Sequence, residues 1–85
     1  MNRRRLLRRL AQGALDNVSF EDMVDLAAGF GFQLVRVSGS HHIFSHQDIP
    51  EPINLQAVRG QAKPYQIRQF LRLVERYNLK LENEE

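Results

Sequence analysis

Leu6, Leu7 and Leu10 recur three and four residues apart among arginines, a spacing that predicts a short amphipathic helix over residues 3–12. Residues 13–18 lose the period and read as a linker. A second helix then starts at Ser19. Ser19 is followed three residues later by Asp22 in a capping-box arrangement, with Val18 as the apolar residue before the cap. Glu21, Asp22 and Asp25 suit the positive end of such a helix. Phe20, Met23, Val24, Leu26 and Ala27 form its apolar side, and Gly29 and Gly31 mark its end, one of them as a left-handed cap.

The period then changes to two. Residues 32–37 are rich in Val and Phe and predict a first strand, although Leu34 and Val35 spoil its alternation. Ser38-Gly39-Ser40 gives a hairpin connection into a second strand over residues 41–46. Alternation sends His41, Ile43 and Ser45 to one face and His42, Phe44 and His46 to the other. Residues 47–52, with two prolines and two acids, read as loop, and residues 53–58 as a shorter third strand. Residues 59–62 lead into a last helix with Pro64 at its first position and Ile67, Phe70, Leu71 and Val74 as its core stripe. Asn78 is its expected end, and Leu79 and Leu81 are expected to fold back.

These elements predict an α+β fold. A preliminary basic helix precedes α-β-β-β-α, with a three-stranded antiparallel sheet covered by both longer helices on one face. The expected divisions are a basic arm and linker over 1–18, the domain proper over 19–81, and an acidic, disordered tail over 82–85.

Composition narrows what such a domain can do. At 85 residues there is room for one domain, which buries about 60–65% of its unfolded surface, so substrate is handled on an open face or shallow groove. With no cysteine, disulfides, cysteine nucleophiles and cysteine-based zinc sites are excluded. No apolar run approaches the ~20 residues that span a bilayer. Gln12, Asp16 and Asn17 interrupt what would be the apolar region of a signal peptide. A cytoplasmic, soluble protein with no membrane partner is expected.

The net charge of +2 hides a sharper distribution. Residues 1–12 hold five arginines and no acid, so Arg4/Arg8 and Arg5/Arg9 are like-charge pairs four apart. A carboxylate, an acidic partner or a phosphate would relieve them, and a solvated arm with frayed ends is the alternative. Over residues 57–80, Arg59, Lys63, Arg68, Arg72, Arg76 and Lys80 face the single acid Glu75. Such asymmetry attracts polyanions.

The candidate chemistry lies in the three histidines. His41 follows a flexible turn on the wetter face of its strand, and imidazole both takes and gives protons at neutral pH. His42 and His46 share a face with Phe44, which suggests packing and a hydrogen bond. A zinc site would need more converging ligands than the sequence supplies, so no metal is expected. Arg68, Arg72 and Arg76 stack along one side of the last helix, and Lys63 stands at its start, where free N–H groups also meet phosphate. Tyr65 is the nearest aromatic for base stacking, or else a cap on the core.

Gly31-Phe32-Gln33-Leu34-Val35-Arg36, then Gly39-Ser40-His41, Phe44 and His46, resemble the HicA (YcfA-like) toxins. Ile53-Asn54-Leu55-Gln56 and Ala62-Lys63-Pro64-Tyr65-Gln66-Ile67-Arg68 are similar to one branch of that family. The resemblance covers about residues 19–80 and leaves the arginine-rich segment outside. It implies a fold like the double-stranded-RNA-binding domain and a metal-independent endoribonuclease toxin of a type II toxin–antitoxin system. It further implies mRNA as substrate, a HicB-like antitoxin encoded nearby, and no cofactor. The Gly-Ser-His motif puts the catalytic histidine at His41, and Arg36, Ser40, Lys63, Arg68, Arg72 and Arg76 are the expected RNA-binding residues. Two other readings stay open: a noncatalytic RNA-binding module, and an interaction protein whose arginines serve an acidic partner.

Overall fold

The computed structural model describes residues 1–82, so the acids expected to end a disordered tail, Glu84 and Glu85, lie outside the described residues. Its elements run α1 (Arg3–Ala11), α2 (Phe20–Gly29), β1 (Gln33–Ser38), β2 (His41–His46), β3 (Ile49–Val58), β4 (Gln61–Ala62) and α3 (Pro64–Arg76). This is the expected α+β architecture, α-β-β-β-α of the double-stranded-RNA-binding-domain kind with a helix in front.

Each helix is fixed at its ends by local chemistry. Asn2 caps α1 by accepting the Arg5 N–H at 3.0 Å, and Ser19 caps α2 by accepting that of Asp22 at 3.3 Å. Gly31 follows α2 with φ +95°. There the N–H of Phe32 bonds Ala27 O and that of Gly31 bonds Ala28 O, the two bonds of a Schellman motif. Asn78, also at positive φ, ends α3 in the same way, with Leu79 bonded to Val74 O.

The basic α1 is packed as well as formed. Leu6 and Leu10 are buried in the same core as Met23 and Leu26 of α2. Arg3 reaches both carboxylate oxygens of Asp25 at 2.9 and 3.0 Å, and Arg9 donates to the Asp16 carbonyl. Arg4, Arg5 and Arg8 point outward and are exposed.

The sheet is antiparallel in the order β1-β2-β3-β4. Its three long strands are those expected, with two differences in detail. Residues 49–52, expected as loop because of Pro50 and Pro52, are strand. Only a two-residue turn, Gln47-Asp48, separates β2 from β3. The prolines are tolerated because they sit where the β2–β3 register is irregular and beyond the reach of β4, on the edge side of the sheet. Residues 59–62, expected only as a lead-in, form a hairpin: Arg59 and Gly60 both have positive φ, and β4 pairs with Ala57 and Val58. The same turn receives the start of α2, with Phe20 N–H bonded to Gly60 O and Ala62 N–H to Val18 O, both at 2.9 Å.

Phe44, Ile53 and Leu55 turn inward to meet Met23, Leu26, Ile67 and Phe70 in one core, so both longer helices cover one face. Phe70 stands against Phe30 and Phe32 with ring centres 5.6 and 5.5 Å away. The imperfect apolar run in β1 is a bulge between Leu34 and Arg36, which leaves Val35 as the extra residue. Beyond it, Arg36 faces outward opposite Ile43.

Candidate functional site

The hairpin that delivers His41 has only Gly39 and Ser40 between its strands. Gly39 adopts φ +59° while Ser40 does not, the pattern of a tight turn with glycine at its first central position. Ser40 and His41 are exposed, and His41 lies on the face away from the helices, whereas Phe44 on the other parity is 2% exposed. The strand register then decides what stands beside His41. Ser38 of β1 and Gln56 of β3 flank it directly, and Asn54 lies two positions further along β3 on the same side.

That register assembles a polar cluster. Asn54 Nδ2 lies 3.0 Å from His41 Nδ1. Gln56 donates through Nε2 to Ser40 Oγ at 3.3 Å and accepts from Lys63 Nζ through Oε1 at 3.3 Å. Lys63 also sits 5.5 Å from the ring centre of Tyr65, a cation–π contact. Lys63 occupies the N-cap position of α3 and offers no side-chain cap. Pro64 has no N–H and the Gln66 N–H bonds Lys63 O, so of the first turn only the Tyr65 N–H lacks a partner within the helix. A turn hydroxyl, an imidazole, two amides, an ammonium and a phenol ring thus stand in one neighbourhood. They can exchange protons, hold a phosphate and stack a base.

The other two histidines serve the fold. His42 packs its ring 4.8 Å from that of Phe20 and approaches Ser40 O through Nδ1 at 3.2 Å. Both nitrogens of His46 are occupied: Nδ1 accepts the Asp48 N–H at 3.0 Å, which leaves Nε2 to donate to Phe30 O at 3.0 Å. Its ring lies 5.1 Å from Phe32. No group of three or more His, Cys, Asp or Glu that could hold a metal occurs among the described residues.

The expected RNA-binding residues divide into four groups. Ser40 and Lys63 join His41 through Gln56. Arg36 shares its face from the neighbouring strand and is exposed. Arg68 and Arg72 run away along the outer side of α3, exposed and with no ion pair among the described residues. Arg76 lies about 20 Å along the helix axis from Lys63, at ~1.5 Å per residue. It is also occupied, 3.6 Å from Glu51 and 5.9 Å from the ring centre of Tyr77. Glu51 further accepts the Tyr77 hydroxyl at 3.0 Å, and this bond raises the phenol above its ordinary pKa.

Asn54 and Gln56 are the residues that sequence reading did not single out. A signal for them existed: they alternate with the buried Ile53 and Leu55 and therefore share one outer face. What was missing was the register that sets that face beside His41.

No helix among the described residues is long and apolar enough to cross a membrane. No curated protein and no solved structure matches the chain. The family model for the HicA toxin of bacterial toxin–antitoxin pairs matches residues 20–75, a span from the start of α2 almost to the end of α3 that holds every member of the cluster. The chain belongs to the HicA toxin family.

Proposed function

We propose that this toxin is an endoribonuclease that cleaves mRNA without a metal, with His41 as its acid–base residue, and that a HicB-like antitoxin holds it silent. The observation that carries the reading is the setting of His41. It is exposed on the open face of the sheet, one ring nitrogen is engaged by Asn54, and Nε2 meets no partner among the described residues. A histidine kept only for packing would resemble His42, whose ring lies against Phe20, or His46, with both nitrogens committed.

The chemistry needs few parts. The base takes the proton of the 2′-hydroxyl, the freed oxygen attacks the adjacent phosphorus, and the bond to the 5′-oxygen breaks. The product is a 2′,3′-cyclic phosphate, with the proton delivered to the departing 5′-oxygen by the imidazolium or by water. Lys63 and the Tyr65 N–H in the first turn of α3 neutralise the charge that builds on the phosphoryl oxygens. Ser40 and Arg36 hold the backbone on either side, and Arg68 and Arg72 extend the track along α3. A noncatalytic RNA-binding module would use the same basic track, but it gives no role to an exposed imidazole, free at Nε2, set among Asn54, Gln56 and Lys63.

A time course on end-labelled RNA tests this. Wild type should cut at the same rate in EDTA, and His41→Ala should lose about 10²–10⁴ in rate while still binding RNA and antitoxin. Cleavage abolished by the chelator, or a mutant that cuts at the wild-type rate, rejects the single-histidine mechanism.

A further inference from the structure

Among the described residues, one buried side-chain polar atom lacks a hydrogen-bond partner: Oδ1 of Asn54. An amide oxygen shut away from water without a donor costs about 1–3 kcal/mol. Asn54 nevertheless stands on the outer face of β3, opposite Ile43, with its Nδ2 directed at His41 Nδ1.

Which ring nitrogen of a neutral histidine carries the proton is set by the group that faces the other one. With Nδ2 of Asn54 donating, Nδ1 of His41 has to be bare and the proton sits on Nε2. An imidazole in that form presents no lone pair outward and cannot take a proton from a 2′-hydroxyl. A half-turn of the side-chain amide exchanges its oxygen and nitrogen and keeps the 3.0 Å separation. Oδ1 then accepts the Nδ1 proton, and Nε2 is bare. One polar atom of the amide faces the same unpartnered spot in either setting, so the exchange costs Asn54 little. For His41 it decides between acid and base.

Protonation points the same way. The imidazolium donates from both nitrogens, so only an oxygen can face Nδ1 once Nε2 has gained its proton. We propose that Asn54 is a positioning residue for His41, accepting the Nδ1 proton through Oδ1 so that the imidazole presents a bare Nε2. The inference rests on His41 being the acid–base residue argued above. In this arrangement the ring does not turn as the proton arrives, because the same Nδ1–H···Oδ1 bond serves before and after. The proton leaves O2′ for Nε2 and passes from Nε2 to the departing O5′, so the histidine ends as it began.

The tautomer can be read without RNA, which separates this inference from the proposed activity. Ring-nitrogen NMR on full-length, ¹⁵N-histidine-labelled protein, above the pH at which imidazoles titrate, should show His41 with Nδ1 protonated and Nε2 bare. Asn54→Ala should shift His41 towards the Nε2–H form that imidazole favours in water. Asn54→Asp, whose side chain can only accept, should keep Nδ1–H even if the alanine variant folds poorly. In cleavage assays Asn54→Ala should lower kcat on the order of 10²-fold with KM little changed, the cost of a misoriented group, and Asn54→Asp should recover most of it. A wild-type His41 that carries its proton on Nε2, or an unchanged tautomer in Asn54→Ala, overturns the inference. Inactivity of His41→Ala alongside either result would leave the proposed function standing and remove only the role of Asn54.

Discussion

Gln66 accepts the backbone N–H of Gln56 through Oε1 at 2.7 Å, and this bond joins the first turns of α3 to the strand that carries Asn54. Gln66 is 2% exposed, the only buried residue among those described that is polar. Its place follows from the short reach of β4, which pairs with Ala57 and Val58 and leaves the next donor on that edge unpaired. Nε2 of Gln66 donates in turn to the Tyr65 hydroxyl at 3.3 Å and steadies the ring beside Lys63.

Gln66→Leu fills the same volume but strands the Gln56 N–H. It should destabilise the fold by about 1–3 kcal/mol, the cost of an unsatisfied backbone donor. Gln66→Glu keeps the acceptor and should lose less. Urea unfolding of both variants measures the difference, and equal midpoints would mean that the bond contributes nothing. Cleavage should fall in Gln66→Leu as well, since Gln56 and Lys63 lose their common anchor.

The docking of α1 carries a pH signature. The two hydrogen bonds from Arg3 hold the Asp25 carboxyl below its ordinary pKa, against an opposing effect of desolvation. Because the folded value is the lower one, the contribution is present above the unfolded pKa of about 3.9 and is lost as pH falls through the folded value. The pair is open to solvent, so it contributes no more than about 1 kcal/mol. Asp25→Asn should therefore be less stable than wild type at pH 7 and in low salt, and the gap should close as pH falls through the lowered folded pKa of Asp25 and in high salt. A gap that stays constant across that range would assign the loss to packing.

How much of this was legible beforehand depends on how local the cause is. The Ser19 cap, the end of α2 at Gly31, Pro64 at the start of α3 and the inward turn of Phe44 follow from neighbours in the chain. The outward setting of His41 does too, because alternation along one strand needs no partner. Pro50 and Pro52 misled because the sequence does not say that β4 stops short of them and leaves that end of β3 open on one side, where a missing donor is harmless. β4 is too short for a periodic signal and exists because Val18 and Ser19 pair beside it. The link from His41 to Asn54 spans two strands and depends on a register that no single stretch encodes. Arg76 looked like the third step of an open basic ladder, but Glu51, far away in sequence, meets it.

That last contact separates the arginines of α3. Arg68 and Arg72 are exposed with no ion pair among the described residues, while Arg76 shares Glu51 with Tyr77. An arginine already beside a carboxylate releases less counterion on meeting a phosphate, because part of its field is cancelled. The salt dependence of RNA binding should therefore treat the three differently. Each phosphate contact contributes about 0.7 to the slope of log K against log salt for a single strand. Arg68→Gln with Arg72→Gln should lower the slope by roughly 1.4 in all, while Arg76→Gln should lower it by well under 0.7. The measurement is filter binding at four or five salt concentrations in the His41→Ala background, so that the RNA stays whole. Equal losses from all three would mean that RNA displaces Glu51, and an unchanged slope in the double variant would take the RNA track off α3 altogether.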